Sequence, residues 1–523
     1  MKQPEYKYYR PVWTCGRYNA NAKVAIFYNL IAGMSYYFEE FSAMVVGEIL
    51  AAPRNGEFKL DDIGLKLNIA MESLIPFFKQ LEQLGIVSSV YPSLEVIADY
   101  RTRVSEYNRQ QAEESTKRTT QEKLPYAISN AERLYTEKVG GITSAMFELT
   151  YNCSEKCIHC YNEGATRNDE EKSYRGDREQ LSFDDYRRVI DELYEQGLVK
   201  VCLTGGDPFS NPLAWSLIDY LYYKGIAFDV FTNGQRIGYE VERLANYYPR
   251  LVGLSLYSGI SKVHDFITRK KGSWLHTMSV IDQLADFAVP MNLKCCIMQP
   301  NVKSYYMVAD IARKYGAVPQ FEVSLTDSIE GDRCVSKYLR MTPEQLEIVL
   351  RDDNIPLYVG KEAPNYGGQA KPKDDNPCGA GYNSFCITPE GNVIPCCAFH
   401  TVFGNVMQQS ISSIINECKE LAYWRSLTLR DYEECGQHDY CDYCNLCPGN
   451  NFVEHGTPLK ASEVNCYMAK SRYRLAQKLQ AGYDPLHGKT LRARLAELPD
   501  YVPVSIKREM SHDYSDTRMK VGG

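Results

Sequence analysis

The chain has 523 residues, a formal net charge of −7 and a pI near 5.8. This balance argues against general nucleic-acid binding, which needs an excess of Lys and Arg for phosphate, and no apolar run is long enough to cross a bilayer. The N-terminus lacks a signal-peptide core, so we expect a cytoplasmic protein with no nucleic-acid or membrane partner. The 18 cysteines are unusual there, because clustered cysteines in a reducing compartment more often bind metal or carry out redox chemistry than form disulfides.

Residues 1–99 are predicted to form a small α/β unit. Short strands are expected within Tyr8–Tyr28, a helix over Phe38–Leu50 and a later helix over Ser73–Leu84, followed by a β-wing. This is the winged-helix pattern, whose usual role is DNA binding. The later helix has one basic residue, Lys79, whereas a groove-reading helix needs several basic or amide side chains. DNA binding is therefore disfavoured.

Residues 100–140 are polar and charged, and we expect a helical or partly disordered linker there. Residues 141–345 alternate between strand and helix patterns, which predicts an α/β fold, a partial (β/α)6 TIM-like barrel with its chemistry at the carboxyl ends of the strands. Loops, short strands and cysteines dominate residues 346–482, and an irregular tail covers 483–523. The six expected barrel strands are Ser144–Tyr151, Lys200–Thr204, Ala227–Thr232, Val252–Tyr257, Asn292–Met298 and Gln320–Leu325.

Cys153, Cys157 and Cys160 form a CxxxCxxC loop directly after the first predicted barrel strand. Three thiolates leave one iron of a 4Fe–4S cluster without a protein ligand, so that iron can bind a small chelating molecule and deliver one electron to it. The alternatives are a zinc site or buried free thiols. Zinc would need a fourth ligand nearby, and His159 is poorly placed because both of its neighbours in the loop constrain it.

This loop resembles that of the radical S-adenosylmethionine (SAM) superfamily. Gly205, Gly206 and Asp207 follow the second strand and resemble the family's Gly-Gly-Glu-Pro turn, in which Asp207 replaces Glu and a backbone carbonyl binds the SAM amino group. Ser255 on the fourth strand resembles a ribose contact, and Arg269 resembles a contact to the SAM carboxylate. The resemblance implies SAM as cofactor and these five residues as its contacts.

The C-terminal cysteines resemble the SPASM extension of radical SAM peptide-modifying enzymes, which binds two auxiliary 4Fe–4S clusters. Cys378 and Cys396 fit its C-x12-G-x4-C pattern around Gly391. The middle of the pattern departs from the family, so that either His438 ligates iron or the loop shifts and Cys441 does; we favour Cys441 because thiolate is the commoner ligand. A zinc ribbon is the alternative. The resemblance implies a nearer cluster on Cys378, Cys396 and Cys447, with Cys386 as a candidate fourth ligand, and a farther cluster on Cys435, Cys441, Cys444 and Cys466.

Joined to such a chain, the N-terminal unit resembles the PqqD-like domain that recognises leader peptides in ribosomal-peptide maturation. The expected mode is pairing of the leader with an exposed edge of the Tyr8–Phe27 sheet. The resemblance implies an enzyme that uses a 5′-deoxyadenosyl radical to install a crosslink in a precursor peptide. A thioether is the first expectation and a carbon–carbon or ether bond the next, while epimerisation is disfavoured.

The same resemblance implies a one-electron donor of the flavodoxin or ferredoxin type. Two alternatives stay open at this point. One is a maturase of a folded protein or a small molecule, and the other is a non-catalytic iron–sulfur regulator.

Overall fold

The structure is a computed structural model that describes residues 6–114, 130–162, 179–328, 333–356, 358–359, 374–376 and 378–504. Within these ranges, no helix combines the length and the apolar character that crossing a membrane requires.

The N-terminal unit contains a three-stranded antiparallel sheet in the order β2–β3–β4 and a separate pair of strands, β1 and β5. The sequence-based prediction placed Phe38 in a helix and missed the third strand, because the apolar pattern continues without a break from strand into helix. The predicted β-wing is reduced to a single bridge between Tyr9 and Ser88. The elements are β1 (Lys7–Tyr9), β2 (Thr14–Asn19), β3 (Val24–Asn29), β4 (Met34–Glu39), α1 (Glu40–Ala51), β5 (Glu57–Lys59), α2 (Leu60–Leu67) and α3 (Met71–Gln83).

Six parallel strands form a partial barrel, which confirms the predicted fold class. They lie in the order β11–β10–β9–β8–β7–β6, and all agree with the predicted strands to within a few residues. A capping box of Ser182 and Asp185, the S-x-x-D pattern that predicts a helix start from sequence, begins the first barrel helix. The strands are β6 (Ser144–Glu148), β7 (Lys200–Thr204), β8 (Ala227–Thr232), β9 (Leu251–Ser255), β10 (Met291–Cys296) and β11 (Val318–Glu322). The helices are α6 (Phe183–Glu195), α7 (Ala214–Lys224), α8 (Val241–Asn246), α9 (Ser261–Thr268), α10 (Ser273–Asp286) and α11 (Tyr306–Lys314).

The N-terminal sheet packs beneath the barrel, at the end opposite to the carboxyl ends of the strands. All of β3 is buried, because its two faces contact different layers. Phe27 belongs to a core with α1, α2 and α3, whereas Ile26 and Tyr28 belong to a second core shared with the barrel. The barrel residues in that second core lie at or just before the starts of four strands: Val199, Ala227, Tyr248 and Ala288.

Two helices occupy much of the region predicted as a linker: α4 (Leu94–Glu114) and α5 (Asn130–Val139). They are part of the folded body, since Ile97, Val104 and Tyr135 are buried in the core between the sheet and the barrel. Glu132 on α5 lies 3.0 Å from Lys200 Nζ and 3.7 Å from an Arg250 nitrogen. Of the two predicted forms, helical or partly disordered, these two stretches are helical and packed, and residues 115–129 lie outside the described ranges.

The cysteine-rich region adds strands to the barrel sheet rather than forming a separate one. β12 pairs in parallel with β6 and continues through an antiparallel hairpin into β13 and β14. This pairing places the second cysteine field beside the first barrel strand. The elements are α12 (Cys334–Tyr338), α13 (Pro343–Val349), β12 (Ser384–Ile387), β13 (Asn392–Ile394), β14 (Gly404–Asn405), α14 (Ile411–Glu417), α15 (Lys419–Ser426), α16 (Pro448–His455), α17 (Glu463–Gln480) and α18 (Leu491–Ala496).

Candidate active site

A cavity of about 540 Å³ opens at the carboxyl ends of the barrel strands. Its volume lies in the range of small-molecule sites, about 300–1,000 Å³. The structure brings together at this cavity seven of the residues singled out from the sequence: Cys153, Cys157, Cys160, Gly205, Gly206, Ser255 and Arg269.

The loop that carries the three thiols is fixed to the end of α9. The backbone N–H groups of Lys156 and Ile158 donate to the carbonyls of Thr268 and Ile267 at 3.0 and 2.9 Å. Burial raises the pKa of the Cys153 thiol to about 12, so these side chains are poor free nucleophiles. Three sulfurs facing one cavity form a soft donor set that fits a 4Fe–4S cluster with an open iron.

Two further groups contact this loop. The Asn233 amide nitrogen, after the end of β8, donates to the Cys153 sulfur at 3.2 Å; its Thr-Asn-Gly context was visible in the sequence, but no role was assigned to it. The buried His159 ring packs edge-on against Tyr257 with 4.7 Å between centroids, and burial lowers its pKa to about 4. His159 is thus a neutral packing group in this arrangement.

The glycine turn after β7 packs directly against the loop. Gly206 N donates to Thr150 O at 2.6 Å, and Asp207 N donates to Asn152 O at 3.0 Å. A Cβ on Gly206 would lie 2.5 Å from Asn152 O, closer than real contacts allow. The absence of side chains at these glycines therefore allows the turn to pack against the cysteine loop. The same two glycines also line the cavity.

Asp207 is placed differently from the other predicted SAM contacts. It is completely buried, does not line the described part of the cavity, and accepts a hydrogen bond from the Thr232 hydroxyl at 2.7 Å. Burial raises its pKa. The structure thus shows Asp207 linking the ends of β7 and β8, and its assignment as a SAM contact stays a prediction.

Arg269 follows α9 with left-handed backbone geometry, φ = 53°. This conformation is uncommon for a residue other than glycine. The turn is held by the Asp265 carboxylate, which accepts from the N–H groups of Gly272 and Trp274 at 2.6 and 2.9 Å. Arg269, held in this conformation, lines the same cavity as Ser255.

Polar residues inside the barrel were missed by the sequence analysis. In β10 the burial alternates, and Lys294 and Cys296 line the cavity. Glu322 at the end of β11 lines it as well. Lys294 could have been noticed, because a lysine that points inward from an otherwise apolar strand is unusual. The sequence alone, however, does not show which residues of β10 point into the barrel and which point outward.

The second cysteine field forms two groups. Burial and the thiols Cys397, Cys447 and Cys378 raise the pKa of Cys396, and the ligand set of the nearer cluster stays a prediction. Cys386, the candidate fourth ligand, is buried in β12 next to Cys396. Cys397 faces the barrel cavity instead.

The farther group consists of Cys435, Cys441, Cys444 and Cys466. Burial and then the charges of Cys444, Cys466 and Cys441 raise the pKa of Cys435 to about 12. His438 stacks on Tyr440 with 4.9 Å between ring centroids. This arrangement favours Cys441 over His438, although the ligand assignment stays a prediction.

Among the described residues, no three His, Cys, Asp or Glu side chains are arranged to hold one metal ion. A four-iron cluster makes a different demand, because each thiolate binds a different iron of the cube.

Comparison with known proteins agrees with the site. Residues 147–300 match the radical SAM superfamily, and residues 378–448 match the SPASM iron–sulfur cluster-binding domain. The antilisterial bacteriocin subtilosin biosynthesis protein AlbA of Bacillus subtilis (strain 168) is 30% identical over 319 residues, covering 58% of this chain and 66% of AlbA, just under two thirds of its length. Mycofactocin maturase MftC of Mycobacterium tuberculosis (strain CDC 1551 / Oshkosh) is 28% identical over 351 residues, covering 64% of this chain and 84% of MftC.

Among solved structures, Streptococcus suis SuiB bound to precursor peptide SuiA matches with 13% identity and a TM-score of 0.46, covering 88% of this chain and 99% of that chain. The two domain matches imply SAM, a 4Fe–4S cluster and auxiliary clusters as cofactors. The chain therefore combines a radical SAM enzyme domain with an SPASM iron–sulfur cluster-binding domain.

Proposed function

We propose that this protein is a maturase that installs a crosslink in a ribosomally made precursor peptide. The observation that carries the proposal is the single cavity that joins the three thiols to the glycine turn, Ser255 and Arg269, in a chain with a second cysteine field against the same barrel. A relative named for bacteriocin biosynthesis and another named as a maturase support a peptide substrate.

The proposed cofactor contacts rest on the family resemblance and are supported by the lining of the cavity. Cys153, Cys157 and Cys160 would hold the cluster, and Gly205, Gly206, Ser255 and Arg269 would hold SAM. When bound, these groups supply a one-electron cleavage that permits hydrogen-atom abstraction from an unactivated carbon. The protein's own part is to fix the loop through α9, to donate Asn233 to Cys153, and to exclude water within the barrel.

We propose the auxiliary ligands as two sets. Cys378, Cys396 and Cys447 would hold the nearer cluster, with Cys386 as candidate fourth ligand, and Cys435, Cys441, Cys444 and Cys466 the farther one. Burial, and to a smaller extent the charge of Glu322, a cavity residue, raise the pKa of Cys447, which supports placing the nearer set beside the reaction space. These clusters would accept the electron that crosslinking leaves over, while a flavodoxin or ferredoxin type donor would supply the first electron. The proposed limits of the domains remain 1–99, 141–345 and 346–482.

The proposed leader site is an edge of the β2–β3–β4 sheet. The edge expected within Tyr8–Phe27 is β2, and the contacts of the other edge strand, β4, favour β4 as the site. Phe38 packs against Phe77 of α3 with 6.5 Å between ring centroids, and the Tyr36 hydroxyl donates to Leu84 O at 3.3 Å. Met34, on the same face of β4 by alternation, is 51% exposed. An extended peptide added to β4 would form main-chain hydrogen bonds with this strand. Every second side chain of the peptide would then lie on the face of β4 that carries Met34, Tyr36 and Phe38, beside α3.

The proposed bond is a thioether to a Cys side chain first, and a carbon–carbon or ether bond to an aromatic side chain next. The test is anaerobic reconstitution with dithionite, SAM and a Cys-rich or aromatic-rich precursor peptide encoded beside the gene. We expect deoxyadenosine formation and loss of two hydrogens from the peptide per crosslink. An unchanged peptide mass with inverted stereochemistry would indicate epimerisation instead.

Two results would refute the proposal. Full iron loading without deoxyadenosine would favour a non-catalytic iron–sulfur regulator. Turnover of a folded protein or a small molecule, with no binding of the leader, would favour the other type of maturase. Leader peptides with N-methyl groups at alternate backbone positions test whether the leader binds as an added strand. In an added strand, every second N–H points to β4, so N-methylation of that set should lower affinity and N-methylation of the other set should not.

A further inference from the structure

Lys294 occupies an unusual position inside the barrel. Its Cα pairs in register with Ser255 on β9, but its side chain runs across Gly253 on that strand to the next strand beyond it, β8. There Nζ lies over the Phe231 ring, 2.9 Å from the centroid. A Cβ on Gly253 would meet the Phe231 ring at 2.8 Å and Lys294 Cε at 3.0 Å. The absence of a side chain at Gly253 thus makes room for this lysine inside the barrel.

No hydrogen bond or ion pair of the Lys294 ammonium occurs within the described ranges, and the side chain lines the reaction cavity. The nearby acids have other partners. Asp229 forms an ion pair with Arg250, and the Glu322 carboxylate accepts from Ser324 N at 2.6 Å and interacts with Arg472. Burial lowers the pKa of Lys294, and the charges of nearby groups, Asp229 among them, offset only part of this effect. A buried ammonium is costly unless it is hydrogen-bonded and paired, and a group bound in the cavity can supply that partner.

We infer that Lys294 binds a carboxylate of the substrate, either an Asp or Glu side chain near the modified residue or the peptide's C-terminal carboxylate. The inference rests on the proposed peptide-modifying function. It assigns the carboxylate to the substrate rather than to SAM because Nζ lies over Phe231, whose register partner Gly253 precedes the proposed SAM contact Ser255 by two residues on β9. The ammonium thus points back along the strands, away from the carboxyl ends that the cysteine loop follows. The Phe231 face adds an apolar wall for the stem of the acidic residue.

The test pairs enzyme and substrate changes. The enzymes are the wild type, Lys294→Met, Lys294→Arg and, as a matched control, Lys262→Met on the exposed face of α9. The substrates are the precursor peptide that the wild type converts, its variants with each Asp or Glu changed to Asn or Gln, and a C-terminally amidated form. We expect Lys294→Met to lower peptide kcat/KM about 10- to 100-fold, as loss of a charge-assisted hydrogen bond does, with Lys294→Arg falling between the two and Lys262→Met unchanged.

With the wild-type enzyme, one of the peptides with a neutralised carboxylate should show the same fold-decrease in kcat/KM that Lys294→Met causes with the unchanged peptide. With Lys294→Met, that neutralised peptide should show little further decrease. The inference would be overturned if, for every peptide, the fold-decreases caused by Lys294→Met and by the peptide change simply multiplied. It would also be overturned if Lys294→Met lowered SAM affinity more than peptide kcat/KM. Iron content and thermal unfolding check each variant, and Lys294→Gln replaces Lys294→Met should the latter fail to assemble. If the wild type itself leaves the peptide mass unchanged, the proposed function fails; if it converts the peptide and no carboxylate matters, only this inference does.

Discussion

The contact between the glycine turn and the cysteine loop offers a sharp test of the site. In Gly206→Ala, the new Cβ would lie 2.5 Å from Asn152 O, 2.7 Å from Tyr151 O and 2.8 Å from Asn152 C. All three are backbone atoms just before Cys153, so no side chain can rotate away. Relief requires the turn and the loop to separate, which also strains the bonds from Gly206 N and Asp207 N. We expect a cost of about 2–4 kcal/mol from overpacking and one weakened hydrogen bond.

The matched control is Gly379→Ala. Gly379 also lies next to a proposed cluster ligand, Cys378, but its new Cβ would be 3.5 Å from the nearest atom, an ordinary contact. Gly206→Ala should lose about four irons per chain and the change that SAM causes in the electron paramagnetic resonance (EPR) spectrum of the reduced protein. Gly379→Ala should keep both. A Gly206→Ala protein with wild-type iron content and SAM affinity would refute the steric reasoning.

Three further predictions follow from other contacts. Cys441→Ser should lose the EPR signal of the farther cluster and about four irons, whereas His438→Ala should retain them; the opposite pattern would make His438 the ligand. Thr232→Val should lower the thermal midpoint by the equivalent of about 1–3 kcal/mol, because the buried Asp207 carboxylate loses its 2.7 Å partner, and Thr232→Ser should restore it. Burial alone would raise the pKa of Glu132, but the charges of Lys200 and Arg250 have the larger effect, so the pKa is lowered. The Glu132 carboxylate therefore stabilises the folded protein above the unfolded pKa of about 4.3. This stabilisation disappears as the pH falls through the lower pKa of the folded state. Urea unfolding of cluster-free protein should then show Glu132→Gln less stable than wild type at pH 7, with a difference that shrinks below about pH 4; a difference independent of pH would exclude an ionic role.

Local sequence patterns predicted the barrel well because each strand is short, apolar and bounded by helix signals. Ser182 and Asp185 fixed a helix start to the residue, and the CxxxCxxC spacing located the centre of the site. Contacts between distant segments were beyond such patterns. The pairing of β12 with β6 joins residues more than 200 positions apart, and nothing in either segment names its partner.

The same limit explains the misassignments. Phe38 fits a strand and a helix equally well, and only its pairing with Ala25 decides between them. The hydrogen bond between Asp207 and Thr232 was likewise not predictable, because Thr232 comes from another strand, whereas the resemblance of the glycine turn indicated only a SAM contact. Lys294 was invisible as a site residue because its environment is made by Phe231 and Gly253, which lie on two other strands.

The docking of the N-terminal sheet under the barrel sets a length requirement on any substrate that uses both ends of the protein. The strand β4 belongs to the unit that packs on Val199 and Ala227, whereas the thiols lie beyond the other ends of the strands. A barrel strand of five or six residues spans about 17–20 Å at about 3.3 Å per residue, and a peptide must pass around the outside rather than through the core. A chain held at β4 therefore needs a spacer of more than about six extended residues before its first reactive position. The length of this spacer sets which residues can be modified. Residues closer to the leader than the spacer length cannot reach the cavity, whereas residues farther along the peptide can enter it one after another while the leader stays bound.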